Sequence, residues 1–334
     1  MTIKLSVLDQ SLAQSPDSAA QALQETLAMA QWCEQLGYHR FWVSEHHAFP
    51  SVAGSAPEVL IAALGAATEH IRLGSGGIML PHYSPYKMAE VFSLLANLYP
   101  GRIDLGVGRA PGADMSTAMA LAANRRPNFE QFPRQVAELC DYLWRPVSEP
   151  IVSPKPTADQ PVWMLGSSID SALLAAERGL PYNLAAFINP QAAPDIVAYY
   201  RQRFQANTQP DYRTEQLQAP YAILTISVFC ADTEARARLL QLTHDINLFR
   251  FFTGQSTGAF LTPEQAEHYE ISQQLAAFIA SRDDSRAVGT PQQVRQRVAT
   301  LAKRFDVDEI MAVTNMYYLD DRKRSFELLK QAFV

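Results

Sequence analysis

Residues 71–108, IRLGSGGIMLPHYSPYKMAEVFSLLANLYPGRIDLGVG, carry the pattern that decides the fold. The apolar run 71–81 predicts a strand. The segment 85–98 starts with a proline and predicts a helix, because its apolar residues recur at helical spacing. A second apolar run, 102–108, predicts another strand. A strand, a helix and a strand in this order predict a crossover unit whose two strands lie parallel in one sheet.

The same alternation fills the rest of the 334-residue chain. The other predicted strands are 4–9, 40–46, 161–167, 182–187, 221–231 and 308–314. The other predicted helices are a segment that Ser15 caps and Gly37 ends, followed by 57–70, 131–145, 170–179, 191–206 and 324–333. Eight strands followed by helices predict an α/β fold, a (β/α)8 TIM barrel, as a single domain over residues 1–334.

A doubly wound Rossmann sheet is the alternative architecture. Such a sheet needs a Gly-x-Gly-x-x-Gly turn early in the chain, and Gly106 and Gly108 lack the third glycine. Two connections are longer than those of an ordinary barrel, residues 110–130 after the fourth strand and 245–288 after the seventh. Long connections in a compact domain are usually functional, so we expect these insertions to shape the substrate pocket.

The composition indicates a cytoplasmic enzyme and argues against two other classes of protein. A formal net charge of -6, a pI near 5.7 and the lack of a Lys/Arg-rich run predict no nucleic-acid partner. No signal peptide or membrane span is expected, because the N-terminus lacks the required pattern and no apolar run reaches about 18 residues. Cys33, Cys140 and Cys230 lie far apart and are predicted to be buried, reduced thiols.

The second strand ends in an unusual group of polar residues, FWVSEHH at 41–47. Chemistry in a TIM barrel lies at the carboxyl ends of the strands, so Glu45, His46 and His47 suggest a metal site, a catalytic base or a polar strand end. Adjacent residues on a strand point to opposite faces, so the two histidines are not expected to chelate one ion. The pattern therefore predicts no metal and leaves the other two interpretations open.

The turn after the fifth strand has the features of an anion site, GSSIDSALLAAERG at 166–179. A glycine lets a ligand approach the backbone, and the first N–H groups of the following helix point outward. The hydroxyls of Ser168 and Ser171 can add hydrogen bonds. The alternative is that Ser167, Ser168 or Asp170 only caps the helix.

Arg109 follows the apolar fourth strand directly, where a surface cation is not expected. A guanidinium that binds a phosphate is one explanation, and a salt bridge to Asp9 or Glu45 is the other. The third strand contains the glycines Gly74, Gly76 and Gly77, which offer no side chains to pack. They suit a flat ligand against the backbone, a strained peptide or a simple bulge.

Three of these segments together resemble the bacterial luciferase-like monooxygenase family, whose members are flavin-dependent and built on a (β/α)8 barrel. The matching segments are 41–47, 71–112 and 161–182, and the second is the most specific because strand, helix and strand all match. The resemblance covers essentially the whole barrel and is weakest across 113–130 and 245–288. It is closest to the luciferase-like oxidoreductases of uncertain substrate.

The resemblance implies a site for the phosphate of FMN at the end of the fifth strand. The hydroxyls of Ser168 and Ser171 and the backbone of Gly166 and Ser167 match the family's phosphate-binding turn. Arg109 matches its phosphate-binding arginine.

The resemblance also implies roles around the flavin ring. The peptide bond between Gly76 and Gly77 occupies the place where the family often has a non-proline cis peptide beneath the ring. His46 matches the histidine that serves as an acid/base near the flavin. Because adjacent strand residues point to opposite faces, Glu45 and His47 are then expected to be supporting groups at the barrel rim. The luciferases carry a reactive cysteine just before the arginine, and Gly108 stands there in this chain, so light emission is not expected.

The function implied is a monooxygenase that uses reduced FMN and O2 to oxidise a small organic substrate, such as an aldehyde or a carbonyl compound. A separate flavin reductase would supply the reduced FMN, and the enzyme would be a homodimer. A deazaflavin-dependent dehydrogenase of the same superfamily and a non-enzymatic flavin-binding protein are the alternatives. The presence of His46 argues against the second, because a storage protein needs no base.

Overall fold

The computed structural model describes residues 3–123, 128–145, 149–157, 160–206, 217–256 and 258–334. Within these ranges the strands all belong to one sheet. They are β1 (Lys4–Asp9), β2 (Arg40–Val43), β3 (Arg72–Ser75), β4 (Ile78–Met79), β5 (Ile103–Gly108), β6 (Val162–Gly166), β7 (Tyr182–Ala185), β8 (Ala222–Cys230), β9 (Arg286–Gly289) and β10 (Glu309–Val313).

The sheet closes into a barrel because β10 pairs in parallel with both β1 and β8. The segments β3 and β4 both pair with β5 and together form the third strand of the barrel. Eight parallel barrel strands result, so the predicted (β/α)8 TIM barrel is confirmed, with insertions after its fourth strand, β5, and its seventh, β8. That residues 1–334 form a single domain stays a prediction.

The helices surround the barrel and follow the predicted alternation. In the described ranges they are α1 (Ala19–Gln35), α2 (Pro57–Ala67), α3 (Pro85–Leu98), α4 (Met115–Leu121), α5 (Phe132–Trp144), α6 (Ile169–Glu177), α7 (Asp195–Arg203), α8 (Glu234–Phe252), α9 (Pro263–Glu267), α10 (Gln273–Ala280), α11 (Pro291–Phe305) and α12 (Leu319–Gln331). The start of α3 shows the local cause: Pro85 fits the first turn, and the Ser84 side chain accepts a hydrogen bond from the Lys87 backbone.

Two predicted strands end earlier than their apolar patterns suggested. The second strand ends at Val43 instead of residue 46, so His46 and His47 follow it in irregular backbone. The third strand, predicted as 71–81, is interrupted at Gly76 and Gly77, whose peptide bond is cis.

The two insertions contain more secondary structure than the sequence patterns predicted. The first holds α4, and its residues 124–127 lie outside the described ranges, as does residue 257 of the second. The second insertion holds the end of α8 and all of α9 and α10, and it leads into β9, which pairs with residues 227–230 of β8. The strand β9 was not predicted, because RAVG is short and shows no alternation.

The three cysteines, Cys33, Cys140 and Cys230, are free thiols in the buried core, as predicted. Burial raises the pKa of each of them, so the thiols stay protonated at neutral pH. In the part of the chain that the structure describes, no helix is long and apolar enough to cross a bilayer.

A buried network of charges lies at the amino ends of the barrel strands. Arg40, the first residue of β2, donates to Asp104 at 2.7 Å and to Glu309 at 2.8 Å, and both carboxylates are fully buried. Arg72 donates to the other oxygen of Asp104 at 2.6 Å, and the Tyr221 hydroxyl donates to Glu309 at 2.7 Å. This network, the barrel floor, joins β2, β3, β5 and β10 at the end opposite to the catalytic end of such barrels.

Candidate active site

A cavity of about 330 Å³ opens at the carboxyl ends of the strands, and we call it the glycine cavity. It gathers every residue that was predicted to bind the cofactor. These residues are Gly76, Gly77, Arg109, Gly166, Ser167, Ser168 and Ser171. They come from β3–β4, β5 and the β6–α6 turn, so the barrel brings together three segments that are distant in the sequence.

The backbone of Gly76 and Gly77 is bare on the wall of the glycine cavity. A Cβ on Gly76 would lie 2.6 Å from Leu8 Cδ1, and one on Gly77 would lie 2.3 Å from Leu165 Cδ1. A Cβ on Gly77 would also lie 2.8 Å from the carbonyl oxygen of Gly106, so packing within the barrel requires glycine there, whereas a side chain at Gly76 would have to displace the end of Leu8. The same requirement leaves a flat, featureless surface on which a planar ring can lie.

Arg109 lines the same cavity with an exposed side chain. Neither of its expected salt-bridge partners is available. Asp9 accepts from the Ser11 backbone at 2.7 Å and from Thr26 at 2.8 Å, and Glu45 has its own partners described below. Among the described residues none forms an ion pair or hydrogen bond with Arg109, which leaves its guanidinium open to an anion in the cavity.

The turn before α6 presents backbone N–H groups to the glycine cavity, and Ser167 and Ser168 also line it. Ser168 occupies the N-cap position, yet its side chain makes no capping hydrogen bond, so the first N–H groups of the helix have no side-chain acceptor from the cap. Gly166 permits this approach, because a Cβ there would lie 2.0 Å from Ser171 Oγ. The Ser171 hydroxyl instead donates to the Ser168 carbonyl at 2.7 Å and lies 3.1 Å from the Tyr182 hydroxyl. That the Ser171 hydroxyl hydrogen-bonds to a phosphate stays a prediction, and without a ligand its proton is directed at the Ser168 carbonyl.

A second cavity of about 290 Å³ adjoins the first, and we call it the histidine cavity. His46 and His244 line it, and Phe187 and Ile188 line both cavities. Much of its wall is aromatic or aliphatic, from Leu12, Phe49, Val52, Leu248, Phe251, Phe252 and Phe260. His46 therefore faces a space next to the glycine cavity, without being part of the predicted phosphate site.

The imidazole of His46 is held on one side and open on the other. Its Nδ1 lies 3.1 Å from Ser44 Oγ, and Nε2 has no hydrogen-bond partner in the described part of the chain. Burial lowers the pKa of His46, and the charge of Glu45 opposes that effect only in part. The ring is therefore neutral at pH 7 and able to accept a proton.

His47 is turned away from this cavity and pairs with Glu45. Its Nε2 lies 2.8 Å from Glu45 Oε1, which also accepts from the Tyr83 hydroxyl at 2.9 Å. The other oxygen of Glu45 accepts from the Met79 backbone at 2.9 Å. The expected supporting roles of Glu45 and His47 fit these contacts. The prediction that His46 and His47 point to opposite faces assumed that both lie on the strand, and this premise was wrong, since the strand ends at Val43.

Several lining residues were not singled out from the sequence. Phe187 and Ile188 lie just past β7, Asn183 and Thr225 hydrogen-bond to each other at 2.7 Å inside the barrel, and Arg282 comes from the second insertion. Position at a strand's carboxyl end could have indicated Phe187 and Ile188, whereas Asn183 and Thr225 lie inside β7 and β8. Nothing in the local pattern around Arg282 indicates its place. Among the described residues no three His, Cys, Asp or Glu side chains are grouped to hold a metal ion.

The family model for luciferase-like monooxygenases matches residues 3–308. The chain belongs to the luciferase-like monooxygenase family. The family resemblance inferred from three segments is thus confirmed, and it supports an oxidoreductase of the monooxygenase type.

Members of the luciferase-like family that resemble this chain come from well-known bacteria. An uncharacterized protein of Bacillus subtilis, YwcH, is 42% identical over 99% of this chain and 99% of its own length. A luciferase-like monooxygenase of Escherichia coli K12 is 38% identical over 98% of this chain and 96% of its own. An N-acetyl-S-alkylcysteine monooxygenase of B. subtilis is 35% identical over 99% of this chain and 98% of its own.

Solved structures show the same architecture. The crystal structure of apo-MsnO8 has a TM-score of 0.90 at 36% identity and covers 99% of this chain and 98% of its own. The oxygenating constituent of 3,6-diketocamphane monooxygenase from Pseudomonas putida, solved with FMN, has a TM-score of 0.69 at 18% identity, over 99% of this chain and 98% of its own. The second likeness concerns the fold alone.

Proposed function

We propose that this luciferase-like protein is an FMN-dependent monooxygenase that uses reduced FMN and O2 to oxidise a small organic substrate. The observation that carries the proposal is the convergence of a bare Gly76–Gly77 backbone, an unpaired Arg109 and a helix start in one cavity. A second cavity with an open histidine adjoins it. A separate flavin reductase is proposed to supply the reduced cofactor.

The glycine cavity has the features that FMN requires at both of its ends. Arg109 and the first N–H groups of α6 would bind the phosphate, because an anion at a helix start is favoured by both the N–H donors and the helix dipole. The backbone of Gly76 and Gly77 would lie against the flavin ring, with Leu8 and Leu165 as apolar neighbours. When bound in reduced form, the flavin supplies the electrons that activate O2.

The protein's own contribution to the reaction is to move a proton and exclude water. His46 is neutral at pH 7 and its Nε2 is open, so it can accept a proton from the substrate in the histidine cavity. Phe49, Phe251 and Phe260 surround that space with apolar surface and limit access of water to the reacting groups.

The substrate fits a cavity of about 290 Å³ with largely apolar walls. Aldehydes and carbonyl compounds are the substrate classes that we propose first. The B. subtilis relative is named for N-acetyl-S-alkylcysteine, so a thioether belongs in the same test panel.

Cofactor titration and turnover together test the proposal. Purified protein is titrated with FMN and, separately, with a deazaflavin, and the FMN-bound protein is then reduced and mixed with isotopically labelled O2 and each substrate. We expect FMN binding and a product that carries the label. Binding of the deazaflavin but not of FMN would instead indicate a dehydrogenase. FMN binding without any labelled product would favour the storage protein.

Replacing Arg109 by alanine tests the phosphate end of the site. We expect FMN binding to weaken by roughly 1.5–3 kcal/mol, the scale of a charge-assisted hydrogen bond. The fold should be unaffected, because the side chain is exposed. Fluorescence titration of FMN measures the change, and Arg304→Ala, on the outer surface of α11, is the matched control. Equal FMN affinity in Arg109→Ala and the control would refute the assignment.

We also propose that the protein is a homodimer, which joins through α2 and α3. Leu94 and Leu98 lie one turn apart on α3 and are 51% and 56% exposed, and Val59 on the neighbouring α2 is 67% exposed. Large exposed apolar side chains on two adjacent helices are typical of an interaction surface. Light scattering should give the mass of two 37.1 kDa chains, and Leu94→Asp should give one. Ile271→Asp, at an exposed apolar residue between α9 and α10, should remain dimeric; a monomeric wild type would contradict the proposal.

A further inference from the structure

A buried arginine lines the histidine cavity and has no role in the proposed function. Arg282 reaches the cavity from the end of the second insertion and is only 8% exposed. A buried cation is costly unless it is paired and hydrogen-bonded, so its partners show what it is for.

The partners of Arg282 in the protein are few. Its Nη2 donates to the carbonyl oxygen of Phe187 at 2.8 Å, and its guanidinium lies 5.5 Å from the ring of Phe278. The nearest carboxylate oxygen is Asp245 Oδ1, at 3.9 Å from Nε, which is beyond hydrogen-bond distance. Across the described ranges no other residue accepts a hydrogen bond from this guanidinium.

The nearby carboxylate is already engaged by another arginine. Asp245 Oδ2 accepts from Arg286 Nη1 at 2.6 Å and from Gln241 at 2.7 Å. Arg286 is itself buried and reaches Asp283, whose side chain is largely exposed, at 2.6 Å. Two buried guanidinium groups therefore share one buried carboxylate, and the charge of Arg282 is the one left without a hydrogen-bonded anion.

The rest of the cavity wall leaves Arg282 as its single charge. Within the described part of the chain, no Asp, Glu or Lys and no second Arg lines the cavity. Burial lowers the pKa of His244 to about 4 and also lowers that of His46, so both rings are neutral at pH 7. A cation with no hydrogen-bonded carboxylate, in a largely apolar space, is complementary to an apolar molecule with one negative group.

We propose that the histidine cavity selects a small carboxylate with an apolar body and that Arg282 binds the carboxylate. The planar guanidinium, oriented by the Phe187 carbonyl, matches a carboxylate in geometry as well as charge. The apolar body then lies along Phe251, Phe260 and Leu248 in the cavity that also contains His46. The fate of the substrate depends on the proposed monooxygenase function, whereas its binding does not.

Calorimetric titration with three six-carbon ligands tests the inference without any turnover. The ligands are hexanoate, hexanamide and hexylamine at pH 7, each added to the protein with and without FMN. We expect hexanoate to bind roughly tenfold to a hundredfold more tightly than hexanamide, the effect of a charge-assisted hydrogen bond. Hexylamine should bind most weakly. Equal affinity for hexanoate and hexanamide in the wild type would overturn the proposal.

Substitution of the arginine locates the preference. Arg282→Gln should abolish the preference for hexanoate over hexanamide, and Arg282→Lys, which keeps the charge, should retain part of it. Arg250→Gln removes a cation from the same insertion outside the cavity lining and should leave the preference intact. Thermal melts show whether each variant is folded, and the wild-type ligand series decides the question if Arg282→Gln is not. A folded Arg282→Gln that keeps the preference would refute the assignment.

The two proposals fail in distinguishable ways. Loss of FMN binding or of labelled product would refute the monooxygenase function and leave the affinities for hexanoate, hexanamide and hexylamine unchanged. Equal affinity for hexanoate and hexanamide would refute the carboxylate-binding role of Arg282 and leave FMN binding and oxygenation of uncharged substrates unchanged.

Discussion

Alanine at His46 is expected to slow turnover by about 10²-fold or more while FMN affinity stays close to that of the wild type. The imidazole lines the histidine cavity and not the glycine cavity, so its removal leaves the proposed FMN contacts in place. Its Nδ1 is held by Ser44, which orients the open Nε2 for proton transfer. Steady-state kinetics with saturating reduced FMN give the turnover, and fluorescence titration gives the affinity.

The pH profile separates a base from a merely structural histidine. Burial holds the pKa of His46 below its ordinary value of about 6.5, so the neutral form persists into mildly acidic solution. The rate should fall only as the pH drops below the lowered pKa of His46, and this fall in acid should be absent in His46→Ala. The matched control is His70→Ala, because the His70 side chain is 86% exposed and lines neither cavity. Unchanged turnover in His46→Ala would leave His46 as an ordinary residue of the loop after β2.

Asparagine at Asp104 is expected to lower the free energy of unfolding by roughly 3–5 kcal/mol, the cost of breaking a buried ion pair by removing one partner. Asp104 is fully buried and binds Arg40 at 2.7 Å, Arg72 at 2.6 Å and the Trp42 indole at 3.0 Å. With the carboxylate gone, Arg40 keeps only Glu309 as an anionic partner and Arg72 loses its carboxylate. Urea denaturation followed by circular dichroism measures the change.

The stability difference between wild type and Asp104→Asn should depend on pH in a definite direction. Burial disfavours the charged form of Asp104, but Arg40 and Arg72 outweigh it and hold the pKa below the ordinary value. A lowered pKa in the folded state stabilises the protein above the unfolded pKa of about 3.9, and the effect disappears as the pH falls through the folded value. The difference should therefore be complete at pH 7 and shrink in strong acid.

A surface ion pair is the control for the barrel floor. Arg324 and Asp232 lie 2.6 Å apart with exposed side chains, so Asp232→Asn should leave the urea midpoint of the wild type unchanged. Equal midpoints for Asp104→Asn and Asp232→Asn would mean that the floor contributes no more than a solvated pair.

The barrel could be predicted from the sequence because the pattern of each strand and helix is local. Each strand is a short apolar run and each helix has its own periodicity and start signal, as with Ser84 and Pro85 before α3. Residues at the strand ends could be assigned to one rim for the same reason, and all seven predicted cofactor residues do line one cavity.

The features that the sequence did not disclose depend on contacts between distant segments. Arg40, Asp104 and Glu309 meet at the barrel floor although 269 positions separate the first from the last. Arg282 lines the histidine cavity only because the second insertion folds back over the barrel and β9 pairs with β8. The sequence pattern also did not indicate the hydrogen bond from the Ser171 hydroxyl to the Ser168 carbonyl.

The strand β9 attaches the C-terminal end of the second insertion to the barrel strand β8. Its four residues are hydrogen-bonded to the end of β8, while the segment between α8 and β9 contributes cavity residues such as Phe260 and Arg282. Sequence changes between these two fixed ends can alter the cavity wall without shifting the barrel strands. We therefore expect residues of this insertion to be replaceable in ligand-selection experiments while the glycine cavity, which lies outside the insertion, keeps its shape.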